Sequence, residues 1–315
     1  MKKQRQIAQK KVRPLFSEID PSLINFASTD YLNLSIHPYV RKQGISYAIK
    51  WGSGLLPTRG LPSYELALRS TEELFAKLLG FETVTFYESD PYLLRHLSSL
   101  NERPILLQHS ISKKTGTMHS LEDLLFLKKE TQSILAVNDS LSFSALGTNG
   151  FGLMAGQPGI DILLGSFSKC FGSYVSFIAT SKELKSALFE KIPALHKEQF
   201  ISPIFLGMID ASIKLIPSMD SERKKLLKLN STLFKTLQKI GFEPIKTKAP
   251  FVSLTISESA ELKKLGLHLS DHSFIASPSP GGITFFPNTN LSEKNIFELQ
   301  KSFASYRADL HVEAL

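Results

Sequence analysis

The amino-acid sequence predicts an α/β protein, built as a three-layer large domain with a mostly parallel sheet and a smaller α+β domain at the C-terminus. In the first two thirds of the chain, short apolar runs rich in Val, Ile and Phe alternate with longer helical patterns. This alternation is typical of strands joined by crossover helices. After about Gln199 the order changes, because two long helical stretches precede short strands. The 315 residues, 42% of them apolar, are enough for one large core and one smaller core.

The predicted domain limits follow from this change of pattern. We expect an N-terminal segment at residues 1–45 that packs with the small domain, a large domain at 46–203 and a small C-terminal domain at 204–315. The chain contains no internal repeat, no low-complexity tract and no clear flexible linker. The limits therefore depend on the element pattern alone.

The large domain is predicted to begin with a helix and to contain five strands. The helix spans Ser63–Leu79, with Ser63 as its N-terminal cap and Gly80 as the residue that ends it. A second helix starts at Ser120, whose cap can pair with Asp123. The strands are predicted at Glu82–Tyr87, Pro104–Gln108, Ser133–Asn138, Asp161–Leu164 and Tyr174–Ala179. In parallel sheets, ligands bind beyond the carboxyl ends of the strands.

The small domain is predicted to combine three helices with two short strands. The helices are expected at Ile204–Met219, Glu222–Ile240 and Ser292–Tyr306, and the strands at Phe251–Ile256 and Ile283–Phe286.

The net charge of +8 is moderately basic and would suit anionic ligands such as phosphates, coenzyme A or nucleic acid. No basic run is interleaved with aromatic residues, so we expect a solvated basic surface and rank nucleic-acid binding as the weakest hypothesis. The densest basic cluster lies before Glu18 and is not followed by the apolar stretch of a signal peptide.

The cysteine count and the hydropathy pattern indicate the compartment. Cys170 is the only cysteine, which excludes an internal disulfide and fits a reducing environment. No apolar run approaches the length of a membrane span. We therefore expect a soluble cytoplasmic protein without a membrane partner.

Lys169 is the first candidate for chemistry. It lies in the segment 165–173, GSFSKCFGS, directly after a predicted strand. A lysine among small hydroxyl residues and glycines at the end of a strand can form a Schiff base with a carbonyl cofactor. The hydroxyls of Ser166 and Ser168 could hold a phosphate group. By itself, however, the segment favours an ordinary surface lysine.

Asp139 is the second candidate, and it lies thirty positions earlier at the end of another predicted strand. A carboxylate in this place can stabilise the protonated pyridine nitrogen of pyridoxal 5'-phosphate (PLP). The alternative is an aspartate that caps the next turn.

Several segments around these two residues resemble the α-oxoamine synthase family. Residues 25–38, NFASTDYLNLSIHP, resemble the family motif N-x-x-S-N-D-Y-L-G-L-S-x-H-P. Trp51–Gly54 and Thr58-Arg59 are similar to Y-G-x-G and S-R. Residues 137–152 resemble V-D-E-A-H-S-x-G-x-x-G-x-x-G-x-G, and residues 166–172 resemble T-F-S-K-A-L-G. The order and spacing hold from about residue 22 to residue 190.

The resemblance implies a homodimeric, fold type I PLP enzyme that condenses an acyl-CoA or acyl-carrier donor with an amino acid and releases carbon dioxide. One member of the family is 8-amino-7-oxononanoate synthase of biotin synthesis. By this resemblance Lys169 forms the aldimine with PLP and Asp139 pairs with the pyridinium. The remaining cofactor-binding residues implied are Ser89, Ser142, Ser166 and Ser168.

Some positions depart from the family pattern in the cofactor site. Glu88 and Asp90 place acids in the turn that would cradle the phosphate. A deletion near residues 100–102 removes the segment with the histidine that stacks on the cofactor ring. His109 is a possible substitute, although a surface or core histidine is the favoured interpretation.

Three further positions also depart from the family pattern. Ser142 stands where the family has the histidine of D-E-A-H, and Tyr174 begins a stretch where the family has further glycines. Residues 283–286, ITFF, align with the family's R-L-R strand, so the arginine for the substrate carboxylate is missing. Together these departures support the alternative of a catalytically degenerate, non-enzymatic binding or scaffold protein. His268 and His272 stand four residues apart, but the sequence offers no third ligand, so we do not expect a metal site.

Overall fold

The computed structural model describes residues 23–54, 56–57, 61–88, 104–192, 200–279 and 281–313. Its strands are β1 (Ile24–Phe26), β2 (Leu56–Pro57), β3 (Thr83–Glu88), β4 (Ile105–His109), β5 (Ile134–Asn138), β6 (Ile162–Ser166), β7 (Val175–Thr180), β8 (Phe200–Ile201), β9 (Val252–Thr255), β10 (Phe274–Ser279) and β11 (Gly282–Phe285). Its helices are α1 (Pro38–Trp51), α2 (Pro62–Leu79), α3 (Leu121–Thr131), α4 (Ser168–Phe171), α5 (Lys182–Lys191), α6 (Pro203–Leu215), α7 (Asp220–Lys239), α8 (Ser259–Asp271) and α9 (Glu293–Glu313).

The largest described sheet has five strands in the order β3-β7-β6-β5-β4. The pairs β4–β5 and β5–β6 are parallel, whereas β7 runs antiparallel to both β6 and β3. Four of the five strands therefore point the same way, and the predicted α/β fold with a mostly parallel sheet is confirmed.

Helices cover both faces of this sheet. Alternate residues of β5 face opposite sides, as the pleat requires. Leu135 and Val137 belong to the large hydrophobic cluster that includes Phe75 of α2, whereas Ile134 and Ala136 belong to a second cluster. Side chains of α5 pack against the sheet in this second cluster. The result is the three-layer arrangement predicted from the sequence.

A second sheet has the order β1-β10-β11-β9. The strand β1 pairs in parallel with β10, and the other two pairs are antiparallel. Its own hydrophobic cluster contains Phe26, Phe285 and Phe303, which come from β1, β11 and α9. No observation tests the limits 1–45, 46–203 and 204–315, so they remain predictions.

The helix ends agree with the sequence analysis in two of three places. Gly80 ends α2 with a φ angle of 75°, and Ser120 Oγ accepts a hydrogen bond from Asp123 N at 3.1 Å. The prediction that Ser63 caps α2 is wrong. Pro62 occupies the first helical turn, where its fixed φ angle suits the helix, and Ser63 Oγ instead accepts a hydrogen bond from Trp51 Nε1 at 3.1 Å. Within the described residues, none of the helices could traverse a lipid bilayer.

Candidate active site

The carboxyl ends of β5 and β6 lie side by side at one edge of the large sheet. The two strands are parallel neighbours, and Asp139 N donates to Leu164 O at 2.9 Å. Asp139 follows β5 directly, and Lys169 lies in the short helix α4 that follows β6. The topology therefore brings the two sequence candidates to the same edge, which is where α/β sheets bind ligands.

The Asp139 carboxylate is almost entirely buried, with 4% of the residue exposed. Met154 N donates to Oδ2 at 2.9 Å, and the Ser142 hydroxyl donates to Oδ1 in a short hydrogen bond. The same Ser142 Oγ accepts from Leu153 N at 3.1 Å. A loop that returns to the strand end thus holds the carboxylate in one orientation.

Burial raises the pKa of Asp139 to about 6. The hydroxyls of Ser110 and Ser142 and the N–H groups of Leu153 and Met154 lower the pKa and only partly offset the loss of solvation. No cation among the described residues contributes to the shift. Among the described residues, the site therefore contains an anionic group without a positive partner.

Gly152 allows this loop to approach the carboxylate. Its φ angle is +98°, and a Cβ at this position would overlap Asp139 Oδ2 and lie 3.0 Å from Ser142 Oγ. Only glycine satisfies both the backbone conformation and the close approach. Gly152, one of the glycines that resemble the family motif, thus allows the loop to pack against Asp139.

Lys169 is half-buried, and burial lowers the pKa of its ammonium group. The positive charge of Lys113 lowers the pKa further. A lower pKa makes the neutral, nucleophilic amine more accessible. Lys113 was missed in the sequence analysis because it is distant in the chain and lies in a turn without a recognisable motif.

The turn that contains Lys113 is a tight hairpin after β4. Ile111 and Met118 form an antiparallel bridge, and Ser112 N donates to Thr117 O at 2.9 Å. The hairpin begins beside the site, because Ser110 N donates to Asn138 O at 3.0 Å. Sequence reasoning could have noted only that β4 should neighbour β5, which would place the following turn near Asp139.

Ser166 and Ser168 are close together, and their hydroxyl groups form a hydrogen bond with each other. Ser166 Oγ donates to Ser168 Oγ at 2.8 Å and accepts from Ser168 N at 3.2 Å. Their assignment to a phosphate remains a prediction. The assignment of Ser142 to the cofactor also remains a prediction, and its hydroxyl contacts Asp139. Ser89, with Asp90, lies outside the described residues.

The comparisons with known proteins identify the family. The sequence model of the aminotransferase class I and II family matches residues 89–288, which is more than half of the chain. The chain belongs to this family.

Two curated relatives of this aminotransferase class I and II protein carry the same name. A protein of Desulfosudis oleivorans, provisionally named 8-amino-7-oxononanoate synthase, is 23% identical over 81% of this chain and 79% of its own length. A protein of Paramagnetospirillum magneticum with the same provisional name is 24% identical over 80% of this chain and 78% of its own length. These relatives confirm the resemblance that the motifs indicated.

Solved structures share the fold of this aminotransferase class I and II chain. Serine palmitoyltransferase of Sphingomonas wittichii has a TM-score of 0.82 at 15% identity and covers 92% of this chain and 88% of its own. A structure of SPT with PLP internal aldimine has the same TM-score at 16% identity, with the same coverage. The 8-amino-7-oxononanoate synthase of Francisella tularensis has a TM-score of 0.75 at 17% identity and covers 94% of this chain and all of its own.

The motif at residues 25–38 supports the edge of the site. Asp30 accepts hydrogen bonds from Leu34 N at 2.8 Å and Ser35 N at 2.9 Å, and this closes the turn after β1. Tyr31 Oη donates to Leu141 O at 3.1 Å, two residues after Asp139. The motif thus connects the N-terminal segment to the loop that holds Asp139.

His109 and β11 are the two remaining positions of interest. His109 lies at the end of β4 in register with Asn138 and remains accessible to solvent. Partial desolvation of its ring and the charge of the neighbouring His119 lower its pKa. In β11 both Ile283 and Thr284 are buried, and Thr284 Oγ1 lies 3.2 Å from Ser253 Oγ. The part of β11 that aligns with the family's arginine therefore presents no cation.

Metal binding has no support among the described residues, where no cluster of three or more candidate ligands occurs. His268 Nε2 lies 2.8 Å from Ser302 O, and its ring stacks on His272 at 4.0 Å between centroids. The two histidines thus pack against each other and the adjacent helix.

Proposed function

We propose that this protein is a PLP-dependent acyltransferase of the α-oxoamine synthase type, which joins an acyl group from a CoA or carrier thioester to an amino acid. One observation carries the proposal: the buried Asp139 carboxylate, which has no positive partner among the described residues, follows the strand next to the one that leads into Lys169. This arrangement suits a flat, charged ligand that has a ring cation at one end and a carbonyl carbon at the other.

Asp139 would bind the pyridine nitrogen of PLP. Its burial raises its pKa, and a protonated ring nitrogen would supply the missing positive charge. Bound PLP supplies an electron sink for bonds broken at the α-carbon of an amino acid. Ser142 and the N–H of Met154 would keep the carboxylate oriented toward the ring.

Lys169 would hold the carbonyl carbon of the cofactor and move protons at its Nζ atom. Its lowered pKa leaves a larger fraction of the amine neutral near physiological pH, as a nucleophile and a general base both require. The names of the relatives and of the solved structures with the same fold support this assignment.

The experiment adds PLP to the purified protein and records the visible absorbance of lysine-bound PLP. We expect a band in the wild type and in Lys263→Ala, which removes an exposed lysine of α8, and no such band in Lys169→Ala. Reduction with borohydride followed by peptide mapping should locate the cofactor on Lys169. A band that is unchanged in Lys169→Ala would contradict the proposal.

A second candidate function is a non-catalytic member of the same fold that acts as a binding or scaffold protein. It is favoured by β11, where buried Ile283 and Thr284 stand in place of a carboxylate-binding arginine. The two candidates differ in whether amino-acid α-protons exchange with D2O in the presence of PLP. Exchange that needs Lys169 supports the enzyme, and its absence across the standard amino acids supports the binding protein.

We also propose that the protein is a cytoplasmic homodimer. The family resemblance supports a dimer, and α1 leaves Ile45 and Ile49 exposed at 60% and 83%. Large exposed apolar side chains of this kind are typical of interfaces when they are contiguous. Light scattering on the purified protein tests the dimer, and Ile49→Glu should shift the mass toward that of a monomer.

A further inference from the structure

A cavity of about 690 Å³ lies between the two larger hydrophobic clusters. Phe251 belongs to the large cluster, Val252 belongs to the other, and both line the cavity. Pockets of roughly 300–1,000 Å³ between packed units are common sites for small ligands. Its volume and place therefore suit a ligand-sized molecule.

The lining of the cavity combines apolar side chains, the uncharged polar residues Asn230, Ser231, Gln238 and Thr247, and lysines. The apolar side chains are those of Met118, Leu146, Leu153, Leu227, Phe234, Ile245, Phe251 and Val252. Lys235, Lys246 and Lys248 also line it and are exposed to solvent. No acidic residue occurs among the described residues of the lining. This composition complements a molecule with an apolar chain and a negatively charged end.

We propose that this cavity binds a straight-chain fatty carboxylate of medium length. The chain packs between α7 and the Phe251 wall, and the carboxylate lies among the lysines at the rim. Lysine ammonium groups are point charges on flexible stems, so they can follow the head group while their stems extend the apolar wall. The proposal does not depend on PLP, because neither Lys169 nor Asp139 lines this cavity.

One wall of the cavity is the loop that holds Asp139. Leu146, Gly147 and Leu153 line the cavity, and Leu153 N donates to Ser142 Oγ at 3.1 Å. Ser142 in turn donates to the Asp139 carboxylate. A bound chain restrains this loop, so occupancy of the cavity is coupled to the hydrogen bonds that orient Asp139.

Calorimetric titration of the full chain, without added PLP, tests the site with fatty acids below their micelle concentrations. We expect one binding site for dodecanoate and roughly tenfold weaker binding of decanoate, because each methylene adds about the same transfer free energy. Dodecylammonium should bind at least tenfold more weakly than dodecanoate. Equal affinity for the two head groups would overturn the assignment of an anionic ligand.

Two variants test the location. Lys235→Glu reverses one charge at the rim and should weaken dodecanoate binding about tenfold, whereas Lys239→Glu, one turn further along α7 and outside the lining, should leave it unchanged. Ser231→Trp places a large side chain at an exposed lining position and should abolish binding with little effect on folding. Unchanged binding in both Lys235→Glu and Ser231→Trp would overturn the site.

Two further titrations distinguish this site from the proposed reaction site and show whether the ligand is a free fatty acid or a CoA thioester. Lys169→Ala should bind dodecanoate as the wild type does, and loss of binding in that variant would overturn a site separate from Lys169. Dodecanoyl-CoA should bind this cavity no more tightly than dodecanoate. A CoA thioester that binds more than tenfold tighter, and loses that advantage in Ser231→Trp, would overturn the free carboxylate as the ligand.

Discussion

Asp139 is a buried side chain whose surroundings disfavour its ionised form. Three of the four groups that lower its pKa come from the loop that follows it, yet the pKa is still raised from 3.8 to about 6. A carboxyl group with a raised pKa binds its proton more tightly in the folded state than in the unfolded state. Its contribution to stability is therefore complete below about pH 4 and is lost as the pH rises through about 6.

This linkage gives a prediction for the cofactor-free protein. Asp139→Asn removes the ionisation. The difference in the free energy of unfolding, wild type minus variant, should therefore fall by on the order of 3 kcal/mol between about pH 4 and about pH 7. Denaturant titrations at both pH values measure this difference. Any destabilisation by the asparagine amide that does not depend on pH cancels when the two pH values are compared. Asp271→Asn, at an exposed position of α8, serves as the control. A difference that does not change with pH would contradict the raised pKa.

Asn33 shows how a single residue can replace a family glycine. It stands where the family motif has glycine and adopts a φ angle of +54°. Asparagine tolerates this left-handed conformation better than most residues with a side chain. Its amide also lies 2.7 Å from Thr289 Oγ1, so the side chain connects the turn to the segment before α9.

At the scale of elements, the loop between β5 and β6 decides the geometry at Asp139. The loop must return to the strand end with backbone close enough for Met154 N to reach the carboxylate. Gly152 and Gly156 both have positive φ angles, but only Gly152 faces the carboxylate, whereas a Cβ on Gly156 would meet open space. A substitution at Gly156 therefore tests backbone strain alone, whereas a substitution at Gly152 tests backbone strain together with steric overlap.

Gly152→Ala and Gly156→Ala form a matched pair. Both variants incur the strain of a left-handed alanine, about 1–2 kcal/mol, and only Gly152→Ala adds overlap with Asp139, worth about 1–3 kcal/mol more. Thermal or denaturant unfolding should therefore rank Gly152→Ala as the less stable variant. Gly152→Ala should also weaken PLP binding. Equal stability of the two variants would exclude the close approach.

The helix α1 was not predicted because its apolar residues do not form a continuous stripe. Val40 and Gly44 are buried, while Ile45 and Ile49 are exposed. Its contact with α6 depends on small residues instead: a Cβ on Gly44 would lie 2.9 Å from Met208 Cγ. A close helix–helix contact of this kind leaves no hydrophobic periodicity in the sequence.

At the scale of the whole molecule, a group of phenylalanines joins the elements that carry the site. The ring of Phe75 lies 4.9 Å from that of Phe177, 5.8 Å from Phe167 and 5.9 Å from Phe143. Phe143 follows Ser142, and Phe167 lies two residues before Lys169. The packing of α2 on the sheet therefore also positions both candidate segments.

Phe75→Ala should destabilise the protein by about 3–5 kcal/mol, because the fully buried ring leaves a cavity among its aromatic neighbours. Phe126→Ala, at a position of α3 that is 62% exposed, should change stability by less than about 0.5 kcal/mol. Denaturant unfolding measures both. A small effect of Phe75→Ala would show that α2 contributes little to this core.

The sequence by itself determined the five strands of the large sheet, the ends of α2 and α3 at Gly80 and Ser120, and the position of Asp139 and Lys169 just after two strands. These features depend on periodicity and on the preferences of neighbouring residues, which a short window of sequence contains. Only the tertiary structure decided the antiparallel direction of β7, the charge of Lys113 near Lys169 and the contact of Ser63 with Trp51. It also created the cavity between α7 and the Asp139 loop. Each of these depends on residues distant in the chain, whose contacts are selected by how the packed layers fit together.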